Sequence, residues 1–186
     1  MRLTRFLLAA AVVVGGAGCR QSGTAAPPGA TGERAGAATV ARVVDGDTIR
    51  VRIQGFEERV RLIGIDTPET HKPGTPVECF GAEASGRMAA LLPVGTPVSL
   101  VRDVEARDRY GRLLAYVYRA SDGLFVNLAM AKEGYATTLT YPPNVAHVDE
   151  FVAAVRAARE SRRGLWRRCG GAHLPLAGSP KAAPSG

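Results

Sequence analysis

Asp45-Gly46-Asp47-Thr48-Ile49-Arg50-Val51-Arg52-Ile53-Gln54-Gly55 is the stretch that sets the fold of this chain. From Thr48 to Ile53 the residues alternate strictly, with Ile49, Val51 and Ile53 on one face and Thr48, Arg50 and Arg52 on the other. A period of two belongs to a half-buried strand. Asp45-Gly46 and Gln54-Gly55 place a turn at each end of it. Working outward, strands are expected over 39–44 and 58–65, giving a meander. Ala84, Met88, Leu91 and Leu92 recur at helical spacing over 82–92 until Pro93 stops the helix. Strands over 97–102 and 113–118 come next. Asn127 is expected to cap a short helix ending at Gly134. Val148, Phe151, Val152 and Val155 should line one face of a last helix that runs to about Ser161.

This order predicts an α+β fold dominated by a small five-stranded barrel of the oligonucleotide-binding kind, with about three helices. The ends of the chain fall outside the pattern. Residues 1–18 combine a basic start, the apolar run Phe6 to Val14 and a set of small residues, which is the make-up of an export signal. The run is too short for a permanent bilayer span. Cys19 directly after it resembles the acylated cysteine of a bacterial lipoprotein, so the protein is expected in the cell envelope, anchored to a membrane by lipid. Gly16 stands where that signal usually has Leu, and a secreted or periplasmic soluble protein is the alternative. Residues 19–37 read as Cys19 followed by a flexible tether, since Gln21 to Ala37 is almost entirely Gly, Ala, Ser, Thr and Pro, with one Glu and one Arg. The folded domain is expected over 38–169, with a disordered tail over 170–186.

The formal charge of the 186 residues is +7; without Arg2 and Arg5 it is +5, from 22 basic and 17 acidic residues. That balance suits a polyanionic partner and equally suits plain solubility. An oxidising compartment favours a disulfide between Cys79 and Cys169, although spacing alone does not decide whether the sulfurs meet. No Cys-x-x-Cys spacing points to zinc.

The chemistry concentrates in Val44-Asp45-Gly46-Asp47-Thr48 and in Arg61-Leu62-Ile63-Gly64-Ile65-Asp66-Thr67-Pro68-Glu69-Thr70. If the meander pairs as expected, Asp47 and Asp66 meet at neighbouring strand ends. Two carboxylates with carbonyl oxygen and water suit a hard cation such as calcium. Pro68 biases Thr67 towards an extended backbone, which turns its carbonyl into a candidate further ligand. Glu69 is placed to take a proton from a water beside the metal. Arg61 and Arg112 are the candidate phosphate-binding forks. Taken singly, each feature has an ordinary reading as a turn, a loop start or a surface charge. His71, His147 and His173 show no spacing that suggests a joint site, and Arg156, Arg159, Arg162, Arg163, Arg167 and Arg168 read as a solvated face. Trp166 reads as a core residue.

The joint pattern resembles the staphylococcal (micrococcal) nuclease family, the thermonucleases. The matching stretches are Asp45-Gly46-Asp47-Thr48, Arg61 with Asp66-Thr67-Pro68-Glu69-Thr70, Phe80-Gly81-Ala82-Glu83-Ala84, Asp108 through Tyr116, and Gly164-Leu165-Trp166. The resemblance implies calcium-dependent cleavage of single- and double-stranded DNA and of RNA, with little sequence specificity and 3′-phosphate products. It implies that Asp47, Asp66 and the Thr67 carbonyl hold calcium, that Glu69 is the general base, and that Arg61 and Arg112 clamp phosphate. Tyr110 and Tyr141 would lie against the nucleotide. Leu139 stands where the family has a second tyrosine, which removes one stacking surface. A monomer satisfies all of this. The rival readings are a barrel that grips nucleic acid without cutting it and a structural envelope lipoprotein.

Overall fold

The alternating stretch becomes the second strand of a closed barrel in the computed structural model, which describes residues 34–70 and 76–176. The barrel consists of β1 (Arg34–Val43), β2 (Thr48–Ile53), β3 (Phe56–Leu62), β5 (Pro97–Val101) and β6 (Leu113–Arg119), in the order β1-β2-β3-β6-β5. Every junction is antiparallel except β3 with β6, where Val60, Arg61 and Leu62 run parallel to Leu113, Leu114 and Ala115. Ile49, Val51, Val60, Leu62, Leu100 and Val117 fill the interior with no exposed surface. Closure leaves no free sheet edge, which suits a barrel this small.

A two-stranded ribbon of β4 (Gly64–Asp66) and β7 (Thr137–Leu139) stands beside the barrel. Helices α1 (Gly81–Leu91), α2 (Val126–Lys132), α3 (Val148–Glu160) and the four-residue α4 (Leu165–Arg168) complete the domain. The strand expected over 58–65 is thus broken at Ile63, because Gly64 takes φ +85° and redirects the chain into β4. The short strand 137–139 carries too few residues for its periodicity to be read.

Asn127 does not cap α2. It lies inside the helix, fully buried, where its side chain accepts the Val117 N–H and donates to the Ile63 and Ala115 carbonyls. Those bonds join α2 to β6 and to the turn before β4, and the helix starts two residues earlier than a cap at 127 requires, at Val126. The buried face of α3 is Phe151, Ala154, Val155 and Ala158, whereas Val152 is 48% exposed. Trp166 is partly buried against the core, with the Arg159 guanidinium over its ring.

Both domain boundaries differ from those read off composition. β1 begins at Arg34, because residues 34–39 have a partner in β5. At the other end the chain is placed as far as Leu176, whose N–H donates to the Val77 carbonyl. A disulfide joins Cys79 to Cys169 across 90 residues of chain. The export signal, Cys19 and most of the tether lie outside the described residues, as does His71. Among the described residues no helix is long and apolar enough to cross a membrane.

Gly64 matters for more than its turn. A Cβ at this position would stand 2.1 Å from the Phe151 ring, so its absence lets α3 press against the strand that carries Asp66. Gly64→Ala should therefore cost about 3 kcal/mol or more, from the left-handed backbone and the ring overlap together. Urea denaturation measures this, and a loss below about 1 kcal/mol would show that α3 is not seated as described.

Candidate active site

The register of β2 on β3 sets Thr48 opposite Arg61, and the Leu62 N–H donates to the Asp47 carbonyl at 2.8 Å. Asp47 therefore sits at the barrel end, directly beside the root of Arg61. The turn before it is closed by its neighbour, since the Asp47 N–H donates to Asp45 Oδ1 at 3.0 Å. Gly46 between them leaves room for Thr67, whose side chain would lie 2.8 Å from a Cβ there.

Asp47 is only 6% exposed and is held by several donors. Its Oδ1 accepts from the Thr48 hydroxyl, and its Oδ2 accepts both the amide and the hydroxyl of Thr67, at 3.0 and 3.1 Å. Arg61 joins this carboxylate to the other strand end. Nη2 lies 3.2 Å from Asp47 Oδ2 and donates to Asp66 Oδ1 at 2.7 Å, while Nη1 donates to the carbonyls of Leu62 and Ile65. The guanidinium is buried, and four oxygens match its planar fork. The turn after Asp66 is held through Glu69, whose N–H donates to Glu78 Oε2 at 2.9 Å and whose Oε1 accepts the Thr70 N–H.

Arg112 enters from the loop before β6. Its Nε donates to Asp108 Oδ2 at 2.6 Å, and its guanidinium lies 5.5 Å from the centre of the Tyr110 ring. Asp45, Asp47, Asp66, Thr67, Glu69, Arg61, Arg112 and Tyr110 all line one cleft of about 430 Å³. A second depression of about 220 Å³ adjoins it, sharing Arg61, Tyr110 and Arg112 and adding Leu139 and Tyr141 over an apolar floor from Ile63 and Ile65. The arginines of α3 and α4 are exposed, line neither depression, and include no residue of the cleft. His147 is buried in an aromatic cluster, with its ring edge-on to Tyr116 at 4.5 Å.

Residues 59–168 match the family described as staphylococcal nuclease homologue. The chain belongs to that family. It is 45% identical over 129 residues to a thermonuclease of Staphylococcus intermedius, covering 69% of this chain and 75% of that protein. A thermonuclease of Staphylococcus hyicus is 41% identical over 127 residues, covering 68% and 73% respectively. Endonuclease YncB of Bacillus subtilis is 38% identical over 133 residues, or 71% of this chain and 62% of the relative.

In this staphylococcal nuclease homologue the crowding of acids has a measurable consequence. Burial, and then the negative charge of Asp47, push the Asp45 carboxyl up to about 6. Burial likewise raises Asp66, with Asp47 adding to the effect and Arg61 opposing it. Such a set favours a cation. Among the described residues no three His, Cys, Asp or Glu side chains form a metal cage of their own, so a cation here would complete its shell with carbonyl oxygen and water. A hard cation accepts that donor set readily.

Three participants were not visible as such in the sequence. Asp45 lies in the quoted motif, where Asp45-Gly46 has the sequence of a turn and nothing more. Glu78 and His173 carry no local signal, and the fold alone brings them against Asp66 and the Glu69 backbone.

The raised carboxyl of Asp45 costs stability at neutral pH. The unfolded chain releases this proton near the usual carboxylate value and the folded chain only near 6, so stability falls as pH rises between the two. With divalent cations chelated, Asp45→Asn should gain on the order of 1–2 kcal/mol at pH 7, after discounting for partial exposure. The gain should shrink to a few tenths of a kcal/mol near pH 4, because the unfolded carboxyl is then about half protonated and the folded one almost fully so. Denaturation curves at the two pH values test this, and an Asp45→Asn variant no more stable at pH 7 contradicts it.

Proposed function

We propose that this protein is an exported, calcium-dependent nuclease that hydrolyses phosphodiester bonds of DNA and RNA with little regard to sequence, leaving 3′-phosphate ends. The observation that carries the reading is the single cleft into which two carboxylates, Glu69, Arg61 and Arg112 converge. Its chemistry needs no side chain that reads base edges, and the apolar floor beside Tyr110 and Tyr141 suits any base face.

Asp47 and Asp66 are the side chains that would hold calcium. The amide and hydroxyl of Thr67 are both spent on Asp47, so its carbonyl is the oxygen left for ligation. Calcium bound there supplies positive charge to the phosphoryl oxygens and lowers the cost of forming hydroxide. Glu69 accepts the proton of the attacking water. The new bond forms between that water oxygen and phosphorus, and the bond to the 5′ oxygen breaks, which leaves the phosphate on the 3′ side. Arg61 and Arg112 offset the charge growing on the non-bridging oxygens. Asp108 holds Arg112 through both its backbone N–H and its Nε, and so fixes the angle at which that guanidinium enters the cleft.

The leader and Cys19 support export and lipid anchoring, with the tether of small residues giving the domain reach from a membrane surface. One chain contains every residue the mechanism uses.

Purified protein should cut single-stranded DNA with calcium and stop when the calcium is chelated. Glu69→Gln should lower the rate roughly 10²–10⁴-fold while the melting temperature holds, as loss of a general base does. The fragments should carry phosphatase-sensitive 3′ ends. Protein that binds DNA tightly but leaves it intact under calcium and every other divalent metal would establish the non-cutting barrel instead.

A further inference from the structure

We propose that the segment 170–176 is a strap that makes His173 a positioning residue for Asp66 and for the turn carrying Glu69. The proposal rests on the roles given to those two residues above. Several ties hold the strap. The Cys79–Cys169 disulfide anchors its start, the Cys79 N–H donates to the Leu174 carbonyl at 2.8 Å, and the Leu176 N–H donates to the Val77 carbonyl at 2.9 Å. Glu78 and Pro175 face each other as an antiparallel bridge between those bonds.

The strap delivers one imidazole to two acids. His173 Nδ1 lies 2.9 Å from Glu78 Oε2, and Nε2 lies 3.4 Å from Asp66 Oδ2. Its backbone has φ +56°, a region that non-glycine residues occupy only where surrounding contacts hold them. Glu78 Oε2 also accepts the Glu69 N–H at 2.9 Å. A chain of contacts therefore runs from Asp66 through His173 and Glu78 to the backbone of Glu69. Both oxygens of Asp66 have a neighbour, Oδ1 the Arg61 guanidinium at 2.7 Å and Oδ2 the His173 ring at the longer distance of 3.4 Å. Glu78 is mostly buried, while the His173 ring is 41% exposed. Replacing the ring therefore removes contacts to the site without opening the core.

Groups that orient a metal ligand typically change metal affinity or activity 10–100-fold when removed. His173→Ala is expected to raise the calcium dissociation constant about tenfold or more by calorimetry, and to lower kcat by a similar factor at saturating calcium with KM for DNA little changed. A second readout needs no calcium. In chelator, exchange of the Glu69 amide followed by NMR should be about tenfold faster in His173→Ala. In His173→Asn, which keeps a donor at the place of Nδ1, that exchange should return to near the wild-type rate. Circular dichroism checks that each variant is folded. Amide exchange or calcium affinity in His173→Ala within twofold of wild type overturns the proposal. Wild-type protein that binds no calcium overturns the reading of Asp66 itself, and the exchange experiment then still decides whether the strap holds the turn.

Discussion

The Arg61 guanidinium, shared among Asp47, Asp66 and two backbone carbonyls, is the interaction on which the rest of this structure depends. Arg61 belongs to β3, Asp47 ends the turn before β2, and Ile65 and Asp66 belong to the ribbon outside the barrel. One cation thus fixes the ribbon to the barrel end and sets the distance between two acids that would otherwise repel. A buried charge is tolerated only when its partners are in place, so removing any one of them leaves the others costly. The same burial that makes Arg61 structural also holds its guanidinium at the wall of the cleft.

Around that hub, space is made by what is missing. Gly46 lets Thr67 approach Asp47, and Gly64 lets Phe151 approach the strand that ends in Asp66. Helix α3 therefore supports the site from behind without contributing a residue to the cleft. The raised carboxyls of Asp45 and Asp66 show the cost of this arrangement. Burial is the larger cause at both, and the charge of Asp47 adds to it, at Asp66 against the stronger opposing effect of Arg61. A divalent cation bound here would offset the repulsion between the acids, and this couples the proposed metal to the stability of the site.

Much of this was legible in the chain because it was local. The period-two stretch at Thr48–Ile53 named its own strand, and the Asp45–Thr48 and Arg61–Thr70 segments named the acids and the arginine. What was not legible depended on distant parts of the chain. Asn127 looked like a cap because caps are written locally, yet its partners are Ile63, Ala115 and Val117, reached only after the barrel closes. Residues 170–176 fall within what composition marks as a disordered tail over 170–186. Their order comes from a disulfide and two backbone bonds to residues some 90 positions earlier, which composition cannot report. Asp45 shows the opposite case, a residue whose turn-forming role concealed its electrostatic one.

Arg61→Lys separates charge from geometry, because it keeps the charge and discards the fork. A single ammonium cannot serve two carboxylates, two carbonyls and a phosphate at once. Cleavage should slow roughly 10²-fold or more, in line with loss of a transition-state charge donor. The folded domain should survive at reduced stability. A lysine variant that cuts DNA at the wild-type rate would show that charge alone suffices and that the shared guanidinium does not organise this site.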